Sequence, residues 1–110
     1  MIVEGREIVL TNLFITQLAA IQEYISETNP KEGRKLSSYL INYITDTIPL
    51  NPYMFIEYSG KLTPEHSYRR AVYKKSYVII YKVTDVQIKF LAIYHASRNP
   101  HSIDLGEEES

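Results

Sequence analysis

The sequence predicts a small α+β protein, with an N-terminal strand and an antiparallel two-helix hairpin packed on an antiparallel sheet that contains a C-terminal three-stranded meander. Three observations carry this prediction: an early run of β-branched residues, two consecutive stretches with helical apolar spacing, and a strand-rich segment at residues 68–100. A length of 110 residues fits one domain with one core. We expect this domain to span residues 1–103 and the acidic remainder, residues 104–110, to form a disordered tail.

The first strand and the first helix follow from local signals. Residues 6–11 (REIVLT) are rich in β-branched side chains, which favours a short strand. Thr11 or Asn12 can cap the helix that follows. Along this helix the apolar side chains recur at helical spacing: Phe14, Leu18, Ile21 and Ile25.

A second helix begins almost at once. Asn29 can cap it, Pro30 occupies its first position, and Glu32 completes a capping box. Its apolar stripe consists of Leu36, Leu40, Tyr43, Ile44 and Ile48. Because the link is so short, the two helices are expected to fold back on each other. Prolines and a glycine then interrupt residues 49–66, within which residues 53–58 (YMFIEY) are expected to add a short strand.

Side-chain parity divides the last two strands into two faces. With a two-residue connection at Thr84-Asp85, an apolar set on one strand meets an apolar set on the next. The pairs expected are Val83 with Val86, Tyr81 with Ile88, Ile79 with Phe90, and Tyr77 with Ala92. His95 would then lie on the opposite, basic face, where Lys82 meets Gln87 and Ile80 meets Lys89. Lys74 is expected near His95.

Composition excludes several classes of protein. The chain has no cysteine, so disulfides and thiolate metal sites are excluded. No apolar run is long enough for a membrane helix, and the start MIVEGREIVL lacks the charged-then-apolar pattern of a signal peptide, so we expect a cytoplasmic protein without membrane contact. No close histidine–carboxylate spacing suggests a zinc site, and neither a glycine-rich nucleotide loop nor a G-x-S-x-G motif is present, so we expect neither metal nor cofactor.

The net charge of −1 conceals an uneven distribution along the chain. Residues 1–65 carry five basic and eight acidic groups, whereas residues 66–103 carry seven basic groups and only Asp85 as an acid. The tail, residues 104–110, adds four acidic groups. The basic block lies on the predicted meander, which favours an anionic partner: a nucleic acid or an acidic protein.

His95, Arg69, Arg70 and Arg98 are the candidates for catalysis. Neighbouring positive charge favours a neutral imidazole, the form that a general base requires, although a histidine that only packs at a strand end is the alternative. Arg69 and Arg70 point to opposite faces, so one of them shares the face of His95. An even-numbered connection through Lys74-Lys75 selects Arg69 and an odd-numbered one selects Arg70. A guanidinium there, or that of Arg98 beyond the strand, could clamp a phosphate; a solvated or carboxylate-paired arginine is the alternative.

Further residues are candidates for binding a nucleic acid or a protein partner. Four lysines would contribute a diffuse positive field that suits contact with a phosphate backbone. A tyrosine beside them could stack on a base. These residues are Lys74, Lys75, Lys82, Lys89 and Tyr73.

Several runs of residues resemble those of one family. The first strand and helical hairpin, followed by YRRAVY, SYVIIYKV, VQIKFLAIYH and the exit SRNP, are similar to the RelE/ParE superfamily of bacterial toxins. These are the toxins of type II toxin–antitoxin modules, some of them called plasmid-stabilisation proteins. The likeness spans nearly the whole chain in architecture, and its motifs are concentrated in residues 68–100.

The resemblance implies the fold predicted above, a growth-inhibiting activity and a cognate antitoxin that neutralises it. ParE-like members poison DNA gyrase, and the H-x-x-R-x-P exit favours that branch, as does the slightly acidic overall charge. RelE-like members are ribosome-dependent mRNA endoribonucleases. In that case catalysis would need no metal and would use His95 with Arg69 or Arg70, and Arg98. A degenerate, non-toxic binding module is the third possibility.

Overall fold

A computed structural model describes residues 1–57 and 67–97. The chain begins with two strands and two helices: β1 (Ile2–Val3), β2 (Arg6–Leu10), α1 (Asn12–Thr28) and α2 (Pro30–Asn42). A π-helical turn (Tyr43–Thr47) and a short helix, α3 (Ile48–Leu50), follow. Four strands come last among the described residues: β3 (Ile56–Glu57), β4 (Ser67–Tyr73), β5 (Tyr77–Val83) and β6 (Gln87–His95).

The six strands of the described residues form one sheet in the order β1-β2-β6-β5-β4-β3. The predicted α+β class is confirmed, together with the helical hairpin and the three-stranded meander β4-β5-β6. The sheet is mixed, because β2 lies parallel to β6 while the other described pairs are antiparallel. β2 and β6 are far apart in sequence, so no tight turn forces them to be antiparallel. The predicted extra strand is present as β3, which pairs with Arg69 and Arg70 of β4.

Both predicted helix caps are present. The Thr11 hydroxyl oxygen accepts a hydrogen bond from the Phe14 N–H at 3.1 Å and donates one to the Leu91 carbonyl at 3.2 Å. Asn29 Oδ1 accepts from the Glu32 N–H at 3.2 Å, with Pro30 at the first helical position. Each side chain satisfies an amide that the helix itself leaves without a partner.

One face of the sheet packs against the helices. The buried cluster there joins apolar side chains of α1 and α2 to those of β4, β5 and β6. Its largest members are Phe14, Leu40, Ile44, Ile48, Ile79, Tyr81, Ile88, Phe90 and Ile93. The second helical stripe stays continuous through the π-helical turn just before Pro49, which has no N–H to donate and whose ring disfavours regular helix.

The other face of the meander is also apolar, which the sequence reasoning did not predict. A second buried cluster consists of Tyr68, Val78, Ile80, Leu91, Ala92 and Tyr94, with Leu13 packed against it. Lys82 and Lys89 lie on this face as predicted, directly opposite each other. The expected division into one apolar and one basic face is therefore wrong.

The predicted register of β5 and β6 is wrong by two residues. Val83 pairs with Ile88 and Tyr81 with Phe90, because the turn lies one residue further along the chain than expected: the Thr84 N–H donates to the Gln87 carbonyl at 2.9 Å, so Asp85 and Val86 form the connection. The Thr84 hydroxyl accepts a hydrogen bond from the Val86 N–H at 3.3 Å, and the Val86 carbonyl accepts one from Glu7 of β2 at 2.9 Å. Val86 is thus engaged by the turn and by β2 and does not pair with β5.

A β-bulge changes the side of the sheet on which His95 lies. The register shifts between Ile80 and Tyr81, so Tyr81 pairs with Phe90 and Ile80 with Ala92, leaving Leu91 as the extra residue. Beyond the bulge, Ile93 joins the helix-facing cluster and His95 pairs with Tyr77 on that same side. The prediction that His95 lies opposite the core face is therefore wrong.

Within residues 1–57 and 67–97, no helix combines the length and the apolar character needed to cross a membrane. The proposed tail, residues 104–110, and Arg98 lie outside the described residues. The domain boundary at residue 103 stays a prediction.

Candidate functional site

His95 is the last residue of β6 and is exposed. Its ring lies edge-on to the ring of Tyr77, with 5.5 Å between centroids. Burial raises the pKa of the Tyr77 hydroxyl above that of an ordinary tyrosine, which is already protonated at neutral pH. His95 therefore stands beside a neutral aromatic partner, at the edge of the helix-facing side of the sheet.

The hydrogen bonds of His95 define its tautomer. Nδ1 accepts from the backbone N–H of Ser97 at 3.1 Å, and the Ser97 hydroxyl lies 2.8 Å from the same nitrogen. An acceptor at Nδ1 places the proton of the neutral ring on Nε2. In this arrangement Nδ1 accepts from Ser97 and Nε2 carries the proton.

A cavity of about 520 Å³ opens beside His95, between α1 and the end of β6. From α1 it is lined by one helical face: Gln17, Ala20, Ile21 and Tyr24. From the sheet it is lined by Tyr77, Ile93, Tyr94, His95 and Ser97. The lining is aromatic and apolar with a few polar groups, which is typical of ligand and peptide sites. None of the described lysines or arginines lines it.

Arg69 has a structural role. Its Nη1 donates to the carbonyl oxygens of Tyr53 and Phe55, at 3.2 and 2.8 Å. Its guanidinium also lies 5.3 Å from the centre of the Tyr53 ring, and that of Arg6 lies 5.6 Å from the same centre. Arg69 thereby ties the irregular segment after α3 to the sheet.

Arg69 and His95 lie on the same face of the sheet, but they are far apart on it. Arg69 pairs with Tyr81 and His95 with Tyr77, four residues apart on β5, which corresponds to about 13 Å along the strand. The connection after Tyr73 has three residues, an odd number that would select Arg70 by the parity argument. The bulge, however, places His95 on the helix-facing side of the sheet. Arg69, and not Arg70, therefore lies on the same face as His95.

Arg70, Lys82 and Lys89 lie on the other face of the sheet. Arg70 pairs with Ile80, and Lys82 pairs with Lys89, so all three side chains alternate away from the helices. All three are half-buried. Two like charges directly across a strand pair repel each other.

Lys74 and Lys75 form the turn between β4 and β5. Both have positive φ, 50° and 62°, and the Ser76 N–H donates to the Tyr73 carbonyl at 3.1 Å. Turns with two positive φ values normally use Asn-Gly, and lysine is strained there. The Lys74 ammonium lies 4.9 Å from the Tyr39 ring centre and 5.5 Å from that of Tyr73. Lys74 is thus directed toward α2 by two aromatic rings.

Tyr73 belongs to a group of packed tyrosines. Its ring lies 5.0 Å from that of Tyr43 and contributes to the helix-facing core. Burial, and then the neighbouring Tyr73, raise the pKa of Tyr43. The Tyr81 hydroxyl donates to the Pro52 carbonyl at 2.7 Å, and burial raises its pKa strongly. The expected role of Tyr73 in base stacking is not tested by this packing.

The candidate residues do not converge on one site. His95, Arg69 and Arg70 occupy three separate places, and the described part of the chain holds no cluster of residues able to bind a metal ion. Sequence reasoning missed Gln17, Tyr77 and Ser97, which surround His95. The helical spacing of Gln17, Ala20, Ile21 and Tyr24 was the signal available for one wall of the cavity.

Comparison with known proteins gives one result that covers most of the chain. No curated protein matches the chain significantly. A family model described as the ParE toxin of the type II toxin–antitoxin system parDE matches residues 8–100. That match contains both helices, the whole meander and His95. The chain therefore belongs to the ParE toxin family of type II toxin–antitoxin systems.

Proposed function

We propose that this toxin inhibits growth by poisoning DNA gyrase and that a cognate antitoxin neutralises it. The match to the ParE family over residues 8–100 supports the toxin class. The observation that carries the choice of target is the separation of His95 from Arg69 and Arg70. A protein that acts by binding gyrase needs no catalytic residues of its own.

The alternative, RNA cleavage without a metal, needs a base and a cation at one phosphate. The base has to reach the 2′-hydroxyl within hydrogen-bond distance while a cation stabilises the charge that develops on the phosphate. His95 has Nδ1 occupied by Ser97, Arg69 is held by two carbonyls, and Arg70 faces the other way. Among residues 1–57 and 67–97, this arrangement favours a binding function over a nuclease.

The basic residues of the meander fit a role in binding. Lys74 and Lys75 at the turn, with Lys82 and Lys89 on the outer face, would contact anionic surfaces of gyrase-bound DNA or of the antitoxin. Tyr73 would support this surface by fixing the base of the turn.

Expression in a bacterial host tests the proposal. Growth is expected to stop when the chain is expressed alone and to resume when the neighbouring antitoxin gene is expressed with it. Incorporation of labelled thymidine is expected to fall before that of labelled methionine. An earlier fall of methionine incorporation with cleaved mRNA, abolished in His95→Ala, would establish the ribonuclease alternative instead. Unimpaired growth in both cultures would identify a degenerate binding module.

A further inference from the structure

The outer face of the meander, which is turned away from α1 and α2, is buried although both helices pack on the opposite face. The side chains of Ile80, Leu91 and Ala92 on this outer face are fully buried. Within residues 1–57 and 67–97, the hydrophobic side chain that packs on this cluster from outside the sheet is that of Leu13. A buried sheet face needs a second layer over it, and one leucine is too small to form that layer across three strands.

The apolar part of the outer face lies nearest to the end of β6. Val78 pairs with Tyr94, and both are buried. Ile80 pairs with Ala92 in the next row, and both are fully buried. A segment that leaves β6 and turns back over the outer face therefore meets apolar side chains first.

The basic part of the outer face lies further from that end. Lys82 pairs with Lys89 one row beyond Ile80, and Arg70 pairs with Ile80 from β4. These three basic residues, named here the basic strip, are half-buried. Arg70 and Lys89 have no hydrogen-bond or ion-pair partner within residues 1–57 and 67–97. Because partial burial strengthens charge interactions, this strip is complementary to a carboxylate-rich segment.

The C-terminal segment, residues 98–110, carries apolar and then acidic residues in the matching order. Two large apolar residues, Ile103 and Leu105, precede three consecutive glutamates, residues 107–109. Residues 104–110 contain four acidic groups and no basic one. A chain that turns back after β6 would therefore bring apolar residues over the apolar part and carboxylates to the basic strip.

The segment is also long enough to cover both parts of the face. Tyr94 and Lys89 are five residues apart on β6, which corresponds to about 17 Å. Seven extended residues, 103–109, span about 23 Å. Residues 98–102 remain for the change of direction, which a turn of four residues can provide.

We propose that residues 103–110 lie across the outer face of the free toxin, with Ile103 and Leu105 over the apolar part and the glutamates beside the basic strip. The composition of this segment alone predicts disorder, and the outer face supplies the apolar surface that the segment lacks. The segment would compete with any anionic partner for the basic strip. The competition rests on the proposed function, which assigns Lys82 and Lys89 to anionic surfaces.

A spin label at the end of the chain tests the placement directly. The chain has no cysteine, so Ser110→Cys provides a single site for a nitroxide. The label is expected to weaken the amide NMR signals of Lys82 and Lys89 and to leave that of Ser38, on the exposed side of α2, unchanged. Reduction of the nitroxide should restore both lysine signals. Lysine signals that the label does not weaken would overturn the placement.

The apolar contact is tested in the same labelled chain by Ile103→Ser/Leu105→Ser. Both lysine signals are expected to recover, because exposed carboxylate–lysine pairs alone contribute too little to hold the segment in place. Circular dichroism shows whether the variant folds. Lysine signals as weak as in the labelled parent would contradict the role of the two apolar residues.

Two triple variants separate the proposed competition from an effect of overall charge. The first, in the C-terminal segment, is Glu107→Gln/Glu108→Gln/Glu109→Gln. The control, at exposed positions of the two helices, is Glu23→Gln/Glu27→Gln/Glu32→Gln. At low salt the first variant is expected to bind short duplex DNA at least about tenfold more tightly than the parent, and the control less than about threefold. Equal gains in the two variants would overturn the competition.

The outcomes separate this inference from the proposed target. The spin-label measurement involves neither gyrase nor DNA, so a toxin without effect on gyrase leaves the placement standing. Weakened lysine signals in a chain that binds no duplex DNA in either triple variant would overturn the competition and the proposed role of the lysines. A dimer in sedimentation, together with lysine signals that the label does not weaken, would assign the outer face to a second copy and overturn the inference.

Discussion

The two ends of the helix-facing side of the sheet use polar groups in different ways. At the Arg69 end (Arg69, Tyr81 and the carbonyls of residues 52–55), each of these two side chains is bound to backbone carbonyls. At the His95 end (His95 and the Lys74-Lys75 turn), the turn is strained and the exposed His95 ring lines a cavity. The first end stabilises the fold, and we propose that the second contributes to partner binding.

The largest expected effect distinguishes the two adjacent arginines. Arg69→Ala is expected to lower the free energy of unfolding by about 2–3 kcal/mol, because two carbonyls lose a charged donor. Arg70→Ala is the matched control, with an expected loss below about 1 kcal/mol. Urea unfolding measures both. A larger loss for Arg70→Ala would remove the contrast between the two ends.

Tyr81 tests the same end through its hydroxyl group. Tyr81→Phe is expected to cost about 1–2 kcal/mol at neutral pH, because the Pro52 carbonyl loses its buried donor. Burial raises the pKa of Tyr81, so the folded state retains a proton that the unfolded chain releases from about pH 10. The contribution of Tyr81 to the free energy of unfolding is therefore fully present below about pH 10 and is lost as the pH rises above it.

The alkaline decline is expected to be shallower in Tyr81→Phe than in the parent protein. Denaturant unfolding between pH 8 and pH 11, about one unit above the ordinary tyrosine pKa, measures this. Tyr24→Phe is the control, since Tyr24 is exposed and donates no hydrogen bond within the described residues. If the free energy of unfolding falls equally steeply with pH in Tyr81→Phe and in the parent protein, Tyr81 does not cause the alkaline loss of stability.

The Lys74-Lys75 turn is expected to gain stability when its strain is relieved. Replacing the pair by Asn-Gly suits two positive φ values and should add about 1 kcal/mol, after the loss of the Lys74 contact with two rings. Thermal unfolding measures the gain. The control Lys74→Ala/Lys75→Ala removes the same charges but keeps the strain, so it should not gain stability. A gain of equal size in that control would show that charge, and not strain, limits the turn.

The smallest effect is expected at His95. His95→Ala should change the free energy of unfolding by less than about 0.5 kcal/mol, because the ring is exposed and its bonds to Ser97 are local. Urea unfolding in parallel with Arg69→Ala completes the comparison. A loss as large as that of Arg69→Ala would mean that both ends are structural.

Local sequence signals predicted much of the fold. Thr11 and Asn29 cap their helices as expected, because each cap depends only on residues three positions away. The strand registers and the position of His95 could not be predicted, because the bulge at Leu91 depends on Thr11 and Gln17, about 75–80 residues away. The structural role of Arg69 depends likewise on carbonyls of an irregular segment, which carry no sequence signal.

A DNA cleavage assay with purified gyrase tests the central claim most directly. The wild-type toxin and His95→Ala are both expected to inhibit supercoiling and to leave linear DNA after the gyrase is denatured and digested. A matched reaction with the antitoxin added first should leave the DNA supercoiled. Full gyrase activity in the presence of the wild-type toxin, together with mRNA cleavage that His95→Ala abolishes in a translating extract, would contradict the account.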